Sequence, residues 1–193
     1  MRPLTHSLGV AMLAFASLGL QAEDFQPLMK VTQATWPEKH HIGVLCDYRN
    51  SKAEVSALAR AAGAGTLITV VDTRRTEQAE AAANLLASHK AAFVVLMPHD
   101  RLFRDGSFGA TLAVNRLGRR GVPAIGTTPV ALNQGAVFSV GDGTRGEILV
   151  TQRLIGTVDV ILPPRVFYER KLSQLMQAPG DAGSAIISIV TAP

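Results

Sequence analysis

The stretch His41-Ile42-Gly43-Val44-Leu45-Cys46-Asp47-Tyr48-Arg49-Asn50-Ser51 constrains the fold more than any other part of the chain. An apolar run with β-branched members ends in polar turn formers, and a helical pattern begins at once behind it. Val55, Leu58, Ala59 and Ala62 recur at i, i+3, i+4 and i+7, which places them on one helix face. Ser51 and Glu54 have the spacing of a capping box, so the helix is expected to start at Ser51, its hydroxyl taking the N3 amide. The unit reads as a buried strand, a polar loop at its carboxyl end and a helix. In open α/β sheets that loop position is where ligands bind.

The same unit recurs downstream. Thr66-Leu67-Ile68-Thr69-Val70-Val71 is a β-branched run and reads as a second strand, followed by Asp72 and Thr73. A helix over about 76–88 carries Ala79, Ala82, Ala83 and Leu86 on one face. The apolar run 91–97 reads as a third strand, covered on both sides as in a parallel sheet, and ends in Pro98-His99-Asp100-Arg101. A third helix is expected over about 108–120, with Ala110, Ala113, Val114 and Leu117 inward. A short fourth strand, Val122 to Gly126, ends in Thr127-Thr128-Pro129, and Ala136 to Val140 forms a fifth. Strands alternating with helices through short connections require right-handed parallel crossovers. The expected fold is α/β, a single doubly wound, mainly parallel sheet in the flavodoxin-like order 2-1-3-4-5.

Beyond position 141 the pattern allows two continuations. Thr144 and Glu147 have capping-box spacing, which favours a helix from Thr144. Asp142-Gly143 suits a hairpin turn, with Gly146 to Val150 returning as a strand, and Gly146, Ile148 and Val150 favour this second reading. Val158 to Leu162 alternates weakly before Pro163-Pro164, and 165–176 is rich in helix formers. Ile186-Ile187-Ser188-Ile189-Val190 is strand-like. It suits either a final core strand or a strand added to a partner's sheet edge.

The ends bear on location. Arg2 and His6 precede an apolar run from Leu8 to Leu20, and Leu20-Gln21-Ala22 offers a small residue for cleavage before Glu23-Asp24. Residues 1–22 therefore read as a secretory signal peptide whose apolar run is too short for a comfortable membrane span, and the protein is expected in the periplasm. Residues 23–40 hold Pro27, Pro37 and the only Trp, Trp36. They read as a lead-in segment with one helical turn that sets Trp36 against the α/β domain of 41–176; 177–193 is a tail or final strand.

Composition narrows the chemistry. The net charge is only +4 from 19 Lys+Arg against 15 Asp+Glu, and the basic residues are scattered without interleaved aromatics, so nucleic acid is not an expected partner. The single cysteine, Cys46, cannot form an internal disulfide and reads as a small buried hydrophobe. His40, His41, His89 and His99 lack the convergent spacing of a zinc site, so no metal is expected. There is no Gly-x-Ser-x-Gly elbow and no phosphate-cradling Gly-x-x-x-x-Gly-Lys-Ser/Thr, and Gly141-Asp142-Gly143 lacks the strand–turn–helix context of a dinucleotide site. Neither cofactor nor catalysis is expected.

The order and content of 41–141 resemble the C-terminal lobe of ABC-transporter substrate-binding proteins of the tryptophan/tyrosine type, which have the type 1 periplasmic-binding fold. The resemblance rests on Gly43-Val44-Leu45 with Asn50-Ser51, on Phe93 to Met97 with His99-Asp100, and on Val122-Pro123-Ala124-Ile125 with Thr127-Thr128 and Gly135-Ala136-Val137. It covers one of the two lobes between which such proteins trap a solute. It implies ligand-facing positions at Asp47, Asn50, Ser51, His99, Asp100, Thr127 and Thr128. It also implies a small polar or amino-acid-like ligand for an ABC uptake system, with a permease as partner. Ser51 and the helix amides behind it would hold an anionic group, and Asp47 or Asp100 a cationic amine. The alternative expectation is a periplasmic adaptor whose lone lobe docks a partner protein or a second copy as a homodimer.

Overall fold

The computed structural model describes residues 25–128, 130–140, 148–150 and 183–193. The expected signal peptide of 1–22, the expected Asp142-Gly143 turn, the alternative helix start at Thr144 and the stretch 158–176 lie outside the described residues.

The element order is α1 (Gln26–Thr35), β1 (His41–Cys46), α2 (Tyr48–Ala62), β2 (Leu67–Asp72), α3 (Ala79–Ser88), β3 (Phe93–Val95), α4 (Phe108–Gly118), β4 (Ala124–Gly126), α5 (Val130–Asn133), β5 (Phe138–Val140), β6 (Ile148–Val150) and β7 (Ile186–Thr191). A turn of 3-10 helix, Thr76–Gln78, leads into α3. The seven strands form one sheet in the order β6-β5-β4-β3-β1-β2-β7. All pairings are parallel except β5 with β6, which is antiparallel with Ser139 opposite Leu149. The expected 2-1-3-4-5 order is present as the run from β2 to β5. The antiparallel β6 is the returning strand of the hairpin reading.

The lead-in segment differs from expectation. Residues 26–35 form a three-turn helix, not one turn: Pro27 sits in its first turn, where a missing amide is harmless, and Leu28, Met29 and Val31 bury one face. The C-terminal stretch takes the first of its two expected readings, a final strand. Ile186–Thr191 adds to this chain's own sheet, parallel to β2 over six residue pairs, so the inner edge of that strand is used internally.

Alternation along the strands sorts side chains to two layers. Ile42, Val44, Ile68, Val70, Phe93, Val95 and Phe138 pack with α1 and α2. Leu45, Val71 and Val94 pack with α3 and α4 through Ala82, Ala83, Leu86, Ala113 and Leu117. Trp36, straight after α1, closes the first layer, its ring 5.6 Å from that of Phe93 and 5.4 Å from that of Phe138. The ammonium of Lys39 lies 4.3 Å from the Trp36 ring centroid and caps it from the solvent side.

Gly43 sets how close the second layer can come. A Cβ there would stand 2.9 Å from Val94 Cγ2 and 3.1 Å from both Ala91 Cβ and Leu86 Cδ1. Gly43→Ala is therefore expected to overpack the sheet against α3 and cost about 1–3 kcal/mol. A lower urea midpoint at unchanged m would show it.

At the start of β1, His41 Nε2 lies 2.8 Å from Thr69 Oγ1. Partial burial, and then the charge of His89, lower its pKa below the ordinary 6.5, against a hydrogen bond with the Lys90 backbone that raises it. The unfolded chain therefore takes up this proton first. The stability held by neutral His41 is complete above 6.5 and is lost as pH falls through that value towards the lower folded one. Thermal melts of His41→Gln should show a weaker loss of Tm on acidification below 6.5 than the parent protein shows.

Candidate binding site at the strand ends

The carboxyl ends of β1, β2 and β3 are tied together by two aspartates. Asp100, in the loop after β3 and only 1% exposed, uses both oxygens. Its Oδ2 accepts from the Asp47 amide at 2.9 Å and from Ser51 Oγ at 2.7 Å. Its Oδ1 accepts from the amides of Leu102 and Phe103, each at 2.8 Å. A carboxylate offers about four acceptor positions, and all of them are taken. Asp72, at the end of β2, accepts from the Tyr48 amide at 3.0 Å and pairs with Arg74 at 3.1 Å. The Thr73 amide reaches back to the Cys46 carbonyl at 2.9 Å.

These bonds explain where α2 begins. The helix starts at Tyr48 with Asp47 as its N-cap residue, and Ser51 lies within it; the Ser51–Glu54 capping box does not form. A helix start needs acceptors for its first amides. Asp100 and Asp72 supply them to Asp47 and Tyr48 from neighbouring strands, so the helix opens before the local signal at Ser51. The positive end of the α2 dipole, which suits an anion, therefore already holds two of the protein's own carboxylates.

Of the positions expected to face a ligand, Asp47, Ser51 and Asp100 come together in this buried set. Asn50 joins it through Nδ2, which donates to Asp47 Oδ2 at 2.7 Å, and its side chain is exposed at the mouth. His99, next to Asp100, is exposed. Thr127 and Thr128 sit half-buried at the end of β4 and join a different loop: Thr128 Oγ1 donates to Asp105 Oδ2. The hydroxyl of Thr127 is buried without a hydrogen-bond partner, as is that of Ser139 on the adjoining β5.

Asp72 and Glu54 complete an acidic rim that sequence reasoning did not assemble. Both are largely buried, beside Asp47 and Asp100. The one available signal was Asp72's place at a strand end, equivalent to that of Asp47. The effect is legible at Cys46: burial first, then the charges of Asp100, Asp72, Glu54 and Asp47, push its thiol pKa far up. Cys46 is the small buried residue expected, and a neutral one. Among the described residues, no group of three or more His, Cys, Asp or Glu is arranged to hold a metal ion. No helix among them is long and apolar enough to cross a membrane.

Comparison with protein-family models and with curated proteins returns no match. Among solved structures, the chain is similar to an ABC domain in complex with L-Trp from Streptococcus pneumonia, at a TM-score of 0.51 and 16% identity over 85% of this chain. It also overlaps a conserved domain protein from Vibrio cholerae, at a TM-score of 0.47 and 10% identity over 86% of this chain. The chain spans about half the length of both, 49% and 50% respectively. At such identity the first likeness shows the fold alone, a periplasmic-binding-like α/β sheet with flanking helices.

Asp100 acts first on stability. Asp100→Ala would leave four donors, most of them buried, without their acceptor, and at about 1–3 kcal/mol for each unsatisfied group the loss is expected to exceed about 3 kcal/mol. Ser51→Ala, which removes only one of those donors, should cost about 1 kcal/mol. Denaturant titration of both variants would show whether the ratio holds.

Proposed function

We propose that the chain is a ligand-binding lobe for a small polar, amine-bearing solute of amino-acid type, held at the carboxyl ends of β1, β3 and β4. The observation that carries this reading is the acidic rim of Asp47, Asp72 and Asp100 around the start of α2, with Glu54 in its second turn. With the helix amides already bonded to internal carboxylates, the rim offers an entering molecule negative potential, which suits an ammonium group. Asn50 and His99, exposed at the mouth, and the hydroxyls of Thr127 and Thr128 would supply the hydrogen bonds that orient the solute. The fold is compatible with this use, because doubly wound sheets bind at their strand ends.

The same reading extends to the cellular setting. With residues 1–22 as an export signal, the protein would work in the periplasm, presenting its solute to an ABC permease. This part rests on the charge and apolar pattern of the first residues and on the likeness of 41–141 to one lobe of such binding proteins.

The test is a thermal-shift panel that sets amino acids and simple amines against carboxylic acids lacking an amine. At about one hundred times Kd a ligand adds roughly 2.7 kcal/mol, so Tm should rise by about 5 °C or more with an amine-bearing compound, and not with the amine-free acids. Asn50→Ala combined with His99→Ala should weaken that ligand about tenfold or more, read as the ligand-induced rise above the variant's own unliganded Tm. A panel in which no amine shifts Tm, or in which the amine-free acids shift it equally, rules the proposal out.

A further inference from the structure

β7 ends the sheet, and among the described residues no strand pairs with its outer side. Its inner side is fully engaged, in unbroken register with β2 from Ile186 opposite Leu67 to Thr191 opposite Asp72. Natural sheets blunt such an edge with charge, proline or a bulge. Here there is none of these: Ile-Ile-Ser-Ile-Val-Thr carries no charge and no proline, and the register has no bulge. The edge is exposed on both faces. Ile186, beside the partly exposed Leu67 on the α3 side, is 68% exposed, and Ile189 on the α2 side is 49% exposed.

The pattern of the strand identifies what fits it. Two copies can join edge to edge in antiparallel fashion only about a two-fold axis normal to the sheet, since that rotation reverses strand direction and keeps each face on its own side. Residues opposite one another must then share a face, so the axis passes through a residue position. With the axis at Ser188, Ser188 meets its own copy, Ile187 meets Ile189 of the second copy, and Ile186 meets Val190. Moving the axis to Ile187 or Ile189 sets serine against an aliphatic residue. The sequence is thus a palindrome in polarity about Ser188, apolar-apolar-Ser-apolar-apolar.

We propose that β7 is a homodimerisation edge, pairing with β7 of a second copy about a two-fold axis at Ser188 to give one continuous sheet. Cross-strand aliphatic pairs then cover Ile186 and Ile189, and the outward backbone groups of the edge find partners in the second copy. The two copies run antiparallel, so the acidic rims open at opposite ends of the joined sheet. Neither copy covers the other's rim, and the inference stands independently of the ligand.

The experiment is sedimentation velocity over a concentration series, with Ser188→Lys, Ser188→Asp and their equimolar mixture. The position is exposed, and far-UV circular dichroism with a thermal melt would verify that each variant folds. The parent protein should run as a dimer at the higher concentrations. Each charged variant should run as a monomer, because like charges face each other at the axis, and the mixture should recover the dimer by pairing Lys with Asp. Ser188→Cys gives a second readout: mild oxidation should cross-link it to itself, since facing Cα atoms in such a pair lie within about 4.5–5.5 Å, in reach of a disulfide. A parent protein that stays monomeric throughout overturns the proposal. So does a dimer that neither charge disturbs, or a Ser188→Cys protein that does not cross-link.

Discussion

The carboxylate of Asp100 is the junction on which the strand-end architecture depends. It is buried, and its cost of desolvation is offset only because each oxygen receives two donors. Those donors come from the β1–α2 turn and from the loop that follows β3, so one side chain fixes two connections that are remote in sequence. Asp72 repeats the device one strand over, on the Tyr48 amide. Together they set where α2 starts and hold the strand ends in one arrangement. The result is a preorganised rim with few rotatable parts, at the cost of concentrating negative charge there.

The remainder of the fold is conventional by comparison, and its energetics lie in the two apolar layers. Small residues on α3 and α4 let those helices sit close to the sheet, and Gly43 sets the distance at the central strand. On the other face the aromatic rings of Trp36, Phe93 and Phe138 pack together and fill much of the layer. This division explains why α1 belongs to the body of the domain: it delivers Trp36 to the layer that needs bulk.

Much of the fold was legible in the sequence, because period-2 and period-3.6 patterns report burial directly. The strands at 41–46, 67–72 and 93–95 and the bodies of the helices behind them stand where the patterns place them. The helix at 26–35 was obscured by Pro27, which reads as a breaker but is harmless in a first turn. The start of α2 was misread for a different reason. Ser51 and Glu54 carry a local cap signal, yet the acceptors that win come from Asp72 and Asp100, about twenty and fifty residues away in sequence. No window of local sequence contains them. The side of the sheet joined by Ile186 to Thr191 is likewise a non-local matter, decided by which edge of a finished sheet remained open. For the site, the resemblance of 41–141 to a binding-protein lobe pointed to Asp47, Ser51 and Asp100 individually. That they bond to one another, with Asp72 and Glu54 adding charge beside them, is visible only in three dimensions.

Cys46 sits beneath this rim, at the last position of β1, fully buried, and the charges of four carboxylates act on its thiol. Burial and charge both oppose the thiolate, the species that reacts with oxidants, disulfides and alkylating reagents. The sulfur is therefore chemically silent for as long as β1, β2 and the β3 loop stay joined. Being the sole thiol, it makes the chain its own sensor of intactness: the pace at which a thiol reagent consumes it measures how often the Asp100 junction comes apart.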